Sequence, residues 1–136
     1  MTYDDLMQLA DGGGIPVLDA DLPTVESCSI LLPDWSCAVG IDPTRVTSSA
    51  DAVSKLAHEL GHCFRGAFYN RHSPYDLVCK HEFSADKWAV ETLMPREDVD
   101  AAMRDGAVEV WQLAERFGVS ERLVRRALWI YYDKEA

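Results

Sequence analysis

Two histidines with a carboxylate between them form the most chemically informative pattern of this chain, His58-Glu59-Leu60-Gly61-His62. Residues four apart lie on the same face of a helix, so both imidazoles can point at one metal ion. The carboxylate of Glu59 is then placed to act as a general base toward a water molecule that the metal activates. The pattern therefore predicts a Zn²⁺ site with hydrolytic chemistry.

A third metal ligand is needed, because a catalytic zinc usually takes three protein ligands and leaves a fourth position for water. The candidates are Glu82, Asp86, His72 and His81. On a helix over residues 80–94, Glu82 and Asp86 fall on the apolar side, where a carboxylate needs a cationic partner. We expect Glu82 to be the third ligand. Asp86, one turn later, suits a hydrogen-bond acceptor that holds a ligand histidine by its other ring nitrogen.

Simpler interpretations exist for these residues. The two motif histidines could form a solvated polar stripe, since the apolar face of their helix centres near Leu60. Ordinary cations could neutralise the carboxylates, and three are available: Arg65, Arg71 and Lys55.

His72 lies in a polar loop, where we expect it to be exposed, although it could help to stabilise an oxyanion. His81 points about 100° away from Glu82 on a helix and is not expected to be a ligand.

The motif must be positioned by a helix, and the surrounding sequence predicts one. Ser48-Ser49-Ala50-Asp51 is typical of a helix start, and Gly66 of a helix end. Apolar residues recur between them at helical spacing, namely Val53, Leu56, Ala57, Leu60, Cys63 and Phe64. Gly61 costs about 1 kcal/mol in a helix interior. We expect it to let another segment approach the helix backbone closely.

The remaining pattern predicts a mostly helical α+β fold of the zincin type, in one domain over residues 1–136. A short helix is expected over residues 2–10. Three β-prone runs, 15–18, 27–32 and 37–41, predict a small antiparallel sheet near the N-terminus, with the last two forming a hairpin. Further helices are expected over residues 80–94, 95–104, 108–117 and 120–132.

Composition narrows the possible functions. The 136 residues include 13 Lys and Arg and 23 Asp and Glu, which gives a net charge of −10. This charge works against binding to nucleic-acid backbones, which requires a surplus of cations. No apolar run approaches the roughly 20 residues of a membrane helix, and the first residues lack the features of an export signal. We therefore expect a cytoplasmic protein without membrane contact.

The four cysteines, Cys28, Cys37, Cys63 and Cys79, include no C-x-x-C spacing, which argues against a four-cysteine zinc site. In the cytoplasm they are expected to remain reduced, mostly as buried thiols. Cys28 and Cys37 could instead face each other across the predicted hairpin.

Four segments of the chain form a longer pattern: residues 58–63, Gly66-Ala67-Phe68-Tyr69, the run His81-Glu82-Phe83-Ser84-Ala85-Asp86-Lys87-Trp88-Ala89, and Leu93-Met94-Pro95. In these segments the chain resembles the ImmA/IrrE-type metallopeptidases of bacterial mobile elements. The resemblance implies that His58, His62 and Glu82 bind Zn²⁺ and that Glu59 is the general base.

The resemblance also implies a cytosolic endopeptidase that inactivates a helix-turn-helix repressor, often that of a prophage or conjugative element. The order of elements agrees from about residue 3 to residue 132. Many relatives are longer and carry a fused DNA-binding or regulatory domain, and we expect none in this chain. That difference leaves its substrate and its control open.

Residues 112–128 have the apolar spacing and central Gly118 of a helix-turn-helix with Arg122, Arg125 and Arg126 on its second helix, so DNA binding or repressor binding without proteolysis is the main alternative. A purely structural zinc would need a fourth ligand, and none is evident.

An extended substrate is expected to add as a strand beside residues 36–41.

Overall fold

The computed structural model describes residues 1–66 and 78–133 of the chain. It contains the helices α1 (Tyr3–Gly12), α2 (Ser49–Arg65), α3 (Val78–Leu93), α4 (Arg96–Arg104), α5 (Val110–Phe117) and α6 (Glu121–Tyr132). The strands are β1 (Val17–Asp19), β2 (Ser27–Leu31) and β3 (Cys37–Ile41), and a 3₁₀ turn spans Pro43–Arg45. This content confirms the α+β class and the predicted order of elements.

The sheet is mixed rather than wholly antiparallel, which corrects one detail of the prediction. β2 and β3 form the expected antiparallel hairpin, but β1 pairs in parallel with β3. The strand order is β1-β3-β2. The chain leaves β1, runs past the sheet to form β2, and returns through the hairpin so that β3 enters between the first two strands. Two reversals separate β1 from β3, so these strands run in the same direction.

This strand order overturns the expected substrate position beside residues 36–41. β3 is the central strand, with Val39 opposite Val17 on one side and opposite Ser29 on the other. Its backbone groups are therefore used within the sheet. Among the described residues, β2 is bonded to β3 alone, so β2 is an edge strand, and both β2 and β3 contact α2.

Helix α2 begins and ends where the sequence predicts. The Ser48 side chain accepts a hydrogen bond from the backbone N–H of Asp51, which satisfies a free donor of the first turn. Gly66 ends the helix in a left-handed conformation, φ 60°, which glycine adopts without strain. Leu56 and Leu60 are fully buried in a core cluster that includes residues from α1 to α6.

The contact between α2 and α3 is unusually close, as expected from Gly61. A Cβ atom on this residue would touch the carbonyl oxygen of Ala85 and lie 2.9 Å from the Cα of Ala85. Real Cβ atoms essentially never come so near. Glycine at this position therefore allows the two helices to approach closely enough for side chains on both to face one point.

A Cys37–Cys63 disulfide joins β3 to the last turn of α2, which corrects the expectation of reduced thiols for these two residues. The two cysteines meet because β3 lies beside α2. They are 26 residues apart, so their spacing in the sequence does not indicate this contact. Cys28 lies opposite Gly40 and is free, so the possible Cys28–Cys37 bridge is also absent. Cys79 is not among the residues whose side chains are described. In the described ranges no helix is long and apolar enough to cross a membrane.

Candidate metal centre

Three side chains from α2 and α3 point their donor atoms at one position. His58 Nε2 lies 2.8 Å from Glu82 Oε2, and His62 Nε2 lies 3.0 Å from Glu82 Oε1. The two histidine Nε2 atoms are 3.2 Å apart. Within the described part of the chain, His58, His62 and Glu82 form the group that could hold a metal ion, with ligand atoms within 4.8 Å of one another.

These separations fit a small tetrahedral cation. Ligands about 2.0–2.1 Å from a zinc ion in tetrahedral geometry are about 3.3 Å from one another. The two histidine nitrogens, 3.2 Å apart, match this value, and each lies within 3.0 Å of one of the two oxygens of Glu82. Two imidazole nitrogens and a carboxylate are also the donor types that zinc prefers. The residues present therefore fit a Zn²⁺ ion.

The burial of the three residues differs from what the sequence suggests. The side chains of His58 and His62 are 17% and 9% exposed, so they do not form a solvated stripe. Glu82, expected on the buried face of its helix, is 47% exposed. The group is thus open to solvent on the α3 side and enclosed on the α2 side, which leaves access for water and for a substrate.

The second ring nitrogen of His58 is held by Asp86. His58 Nδ1 lies 2.7 Å from Asp86 Oδ1, and the carboxylate is fully buried. An ionised carboxylate only accepts hydrogen bonds, so Nδ1 carries the proton and the lone pair of Nε2 faces the candidate metal position. Burial by itself lowers the pKa of His58, but the bond to Asp86 and the charges of Asp86, Glu59 and Glu82 outweigh it and raise that pKa.

Asp86 is neutralised by cations that the sequence analysis did not consider for it. Arg126 Nε lies 3.1 Å and Arg122 Nη2 lies 3.4 Å from Asp86 Oδ2, both reaching from α6. Burial raises the pKa of Asp86, whereas the bond to His58 and the charges of His58, Arg122 and Arg126 bring it below its usual range.

The alternative partners named for the two carboxylates were Arg65, Arg71 and Lys55. Lys55 pairs with Asp51 instead. Arg71 lies outside the described residues. A usable signal for the real partners was present in the sequence, because Arg122 and Arg126 are four apart on one face of α6.

Glu59 lies beside the strand β2. Its side chain is 7% exposed, and its Oε2 accepts a 2.7 Å hydrogen bond from the hydroxyl of Ser27, the first residue of β2. This bond holds the carboxylate of Glu59 beside the edge strand β2. The role of Ser27 was missed at the level of sequence because 32 residues separate the partners.

The weaker candidates do not join this group. His81 is placed on α3 but is not among the residues that converge with His58 and His62. His72, considered for oxyanion stabilisation, lies outside the described residues. Within the described ranges, the group consists of His58, His62 and Glu82.

Comparison with known proteins agrees with this geometry. Residues 45–128 match the IrrE N-terminal-like domain of peptidase family M78. The matched segment contains α2, α3 and both arginines that contact Asp86. No curated protein matches the chain. Because the family match covers more than half of the 136 residues, the chain belongs to the IrrE N-terminal-like family of M78 peptidases.

Proposed function

We propose that this protein is a zinc-dependent endopeptidase with His58, His62 and Glu82 as metal ligands and Glu59 as the general base. The observation that carries the proposal is the convergence of three zinc-type donor atoms within 4.8 Å, next to a buried carboxylate. Membership of a peptidase family supports peptide-bond hydrolysis as the reaction.

Zinc, when bound, supplies Lewis acidity that makes water more acidic and polarises a peptide carbonyl. The chain supplies proton transfer and orientation. Glu59 accepts the proton of the attacking water and then passes it to the nitrogen of the leaving amine. The Ser27 hydroxyl donates to Glu59 Oε2, which leaves the other oxygen of Glu59 available for that proton.

We place the substrate alongside β2. Glu26 and Leu32, which flank β2, bond through their backbones to the residues that flank β3: Asp42 N donates to Glu26 O, and Leu32 N donates to Ser36 O. Backbone direction alternates along an antiparallel strand, so the odd-numbered residues 27, 29 and 31 direct their N–H and C=O groups to the outer edge. A peptide pairing with that edge would run past Ser27 and Glu59.

The proposed substrate class is a helix-turn-helix repressor of a phage or mobile element, cut in a linker or an exposed loop. The family resemblance supports this class, and the charge of −10 would steer a basic DNA-binding protein toward this surface. A repressor acts on DNA, so the proposal also places the enzyme in the cytoplasm.

The decisive variant is Glu59→Gln. It removes the base but none of the proposed zinc ligands, so we expect about one zinc per chain and a loss of cleavage of 100-fold or more, roughly the lower end of general-base contributions. Bound zinc is measured by elemental analysis, and cleavage by mass spectrometry. Unchanged cleavage by Glu59→Gln would overturn the mechanism.

Co-expression identifies the substrate. The chain and its Glu59→Gln variant are each produced together with candidate repressors encoded near the gene. Loss of full-length repressor only with the unaltered chain supports proteolysis. Inactivation of the repressor by both forms would show that the protein acts by binding instead, as the alternative for residues 112–128 holds.

A further inference from the structure

We propose that Arg126, assisted by Arg122, is a positioning residue for the metal centre: it fixes the carboxylate of Asp86, which in turn fixes the ring of His58. This inference rests on the proposed zinc site. Helix α6 would then support the zinc site through its arginines, although it supplies none of the proposed zinc ligands.

The contacts form one continuous chain from α6 to α2. Arg126 Nε donates to Asp86 Oδ2 at 3.1 Å, and Asp86 Oδ1 accepts from His58 Nδ1 at 2.7 Å. The two oxygens of one carboxylate thus have different partners. A carboxylate held through Oδ2 cannot rotate without breaking the bond from arginine, so Oδ1 stays directed at the imidazole.

Burial explains why a cation is required at this position. Asp86 is 0% exposed, and an ionised carboxylate removed from water is costly unless cations and hydrogen-bond donors compensate it. The imidazole of a metal-binding His58 is neutral and therefore supplies a donor but no charge. The compensating charge then has to come from α6.

The two arginines are not equivalent. Arg122 is 65% exposed and lies 3.4 Å from Asp86, whereas Arg126 is 37% exposed and closer. The guanidinium of Arg126 also lies 5.9 Å from the centre of the Trp129 ring, and Trp129 packs edge-to-face on Phe83 of α3. These neighbours restrict Arg126 more than Arg122. We therefore expect Arg126 to provide most of the positioning.

The test measures zinc affinity by competition with a chromophoric chelator. A residue that holds a metal ligand in place without binding the metal typically contributes about 10–100-fold to metal affinity. We expect Arg126→Ala to lower zinc affinity by this factor, and Arg122→Ala to lower it less. Arg125→Ala is the matched control, because Arg125 is an exposed arginine of the same helix. Arg126→Lys restores the charge without the planar geometry and should recover part of the affinity.

A double variant separates positioning from general loss of structure. Asp86→Asn removes the buried charge, so the added change Arg126→Ala leaves no unpaired anion and the variant should fold. If Arg126 acts through Asp86, Arg126→Ala causes no further loss of zinc affinity in the Asp86→Asn background. An equal loss in both backgrounds would overturn the proposal.

A second readout needs no metal. ¹⁵N NMR of the histidine side chains in the metal-free protein reports which ring nitrogen of His58 carries the proton. At a pH high enough for the imidazole to be neutral, we expect an Nδ1–H tautomer in the unaltered protein and in Arg125→Ala, and a mixture of tautomers in Arg126→Ala. A tautomer unchanged in Arg126→Ala, with unchanged zinc affinity, would refute the inference.

The two proposals fail in different ways. If the unaltered protein binds no zinc, the proposed function fails, and the NMR measurement still decides whether Arg126 positions His58. If the unaltered protein binds zinc and Arg126→Ala binds it equally well, the positioning role alone is wrong.

Discussion

At the scale of single residues, the three proposed ligands differ in exposure: two histidines are largely buried and one glutamate is half-exposed. His58 and His62 are held within the protein on α2, and His58 is further fixed by Asp86. Glu82 is half-exposed on α3. The Glu82 carboxylate is free to reorient because it is exposed. Its removal should therefore affect metal binding through the lost coordination and should have little effect on the packing of the protein.

Replacing Glu82 by alanine should therefore remove one zinc ligand while leaving the fold intact. We expect zinc affinity to fall by more than roughly 100-fold, the upper end of the loss seen when a residue that only holds a metal ligand in place is removed. Affinity is measured by chelator competition and folding by circular dichroism. Glu91→Ala, another exposed carboxylate of α3, is the control and should bind zinc normally. A larger loss in Asp86→Ala than in Glu82→Ala would mean that the roles of the two carboxylates are exchanged.

At the scale of elements, the close contact of α2 and α3 sets the geometry of the centre. The backbone of Ala85 fills the space where a side chain on residue 61 would begin. Ala85 lies in the sequence between Glu82 and Asp86, so any separation of the helices at this contact moves both carboxylates away from the histidines.

Gly61→Ala should destabilise the fold and weaken zinc binding together. The added methyl group meets backbone atoms, which cannot rotate away, and overpacking of this kind typically costs about 1–3 kcal/mol. Chemical denaturation measures the free energy of unfolding. Gly12→Ala is the control, because a Cβ atom there has nothing within 4 Å, and its effect should be small or stabilising. Equal stability of the two variants would contradict the close-packing argument.

The edge strand β2 gives a second prediction at this scale. The N–H of Ser29 points away from β3, so Ser29→Pro removes a donor for the substrate without removing a bond of the sheet. We expect peptide cleavage to fall strongly while zinc content and circular dichroism remain unchanged. Ser29→Ala keeps the N–H and should cleave normally. Normal cleavage by Ser29→Pro would place the substrate elsewhere.

At the scale of the whole molecule, charge separates a protease from a DNA-binding protein. The chain carries a net charge of −10, and two of the three arginines on α6 are directed to the buried Asp86. Arg125, the third arginine of α6, is also exposed. With two of its three arginines engaged by Asp86 and a net charge of −10 on the chain, α6 offers too little positive charge for the counterion release that drives DNA binding.

We therefore expect no measurable binding to duplex DNA. Fluorescence anisotropy with a labelled duplex at about 50 mM salt is the most permissive assay, since low salt strengthens any phosphate contacts. Binding that weakens steeply with added salt and is lost in Arg125→Ala would favour the alternative function for residues 112–128.

The sequence by itself determined the features that depend on local spacing. Helix periodicity places His58 and His62 on one face, and the caps at Ser48 and Gly66 set the ends of α2. The same periodicity put Glu82 and Asp86 one turn apart on the next helix. The helix bounds and the choice of candidate ligands could therefore be predicted, because each depends on residues a few positions apart.

Only the tertiary structure decided the features that join distant segments. The insertion of β3 between β1 and β2, the Cys37–Cys63 disulfide and the bond from Ser27 to Glu59 each depend on how the chain folds back on itself. The bond from Arg126 to Asp86 spans 40 residues. No periodic pattern encodes such contacts, since a buried carboxylate accepts any cation that the packing of helices brings within reach.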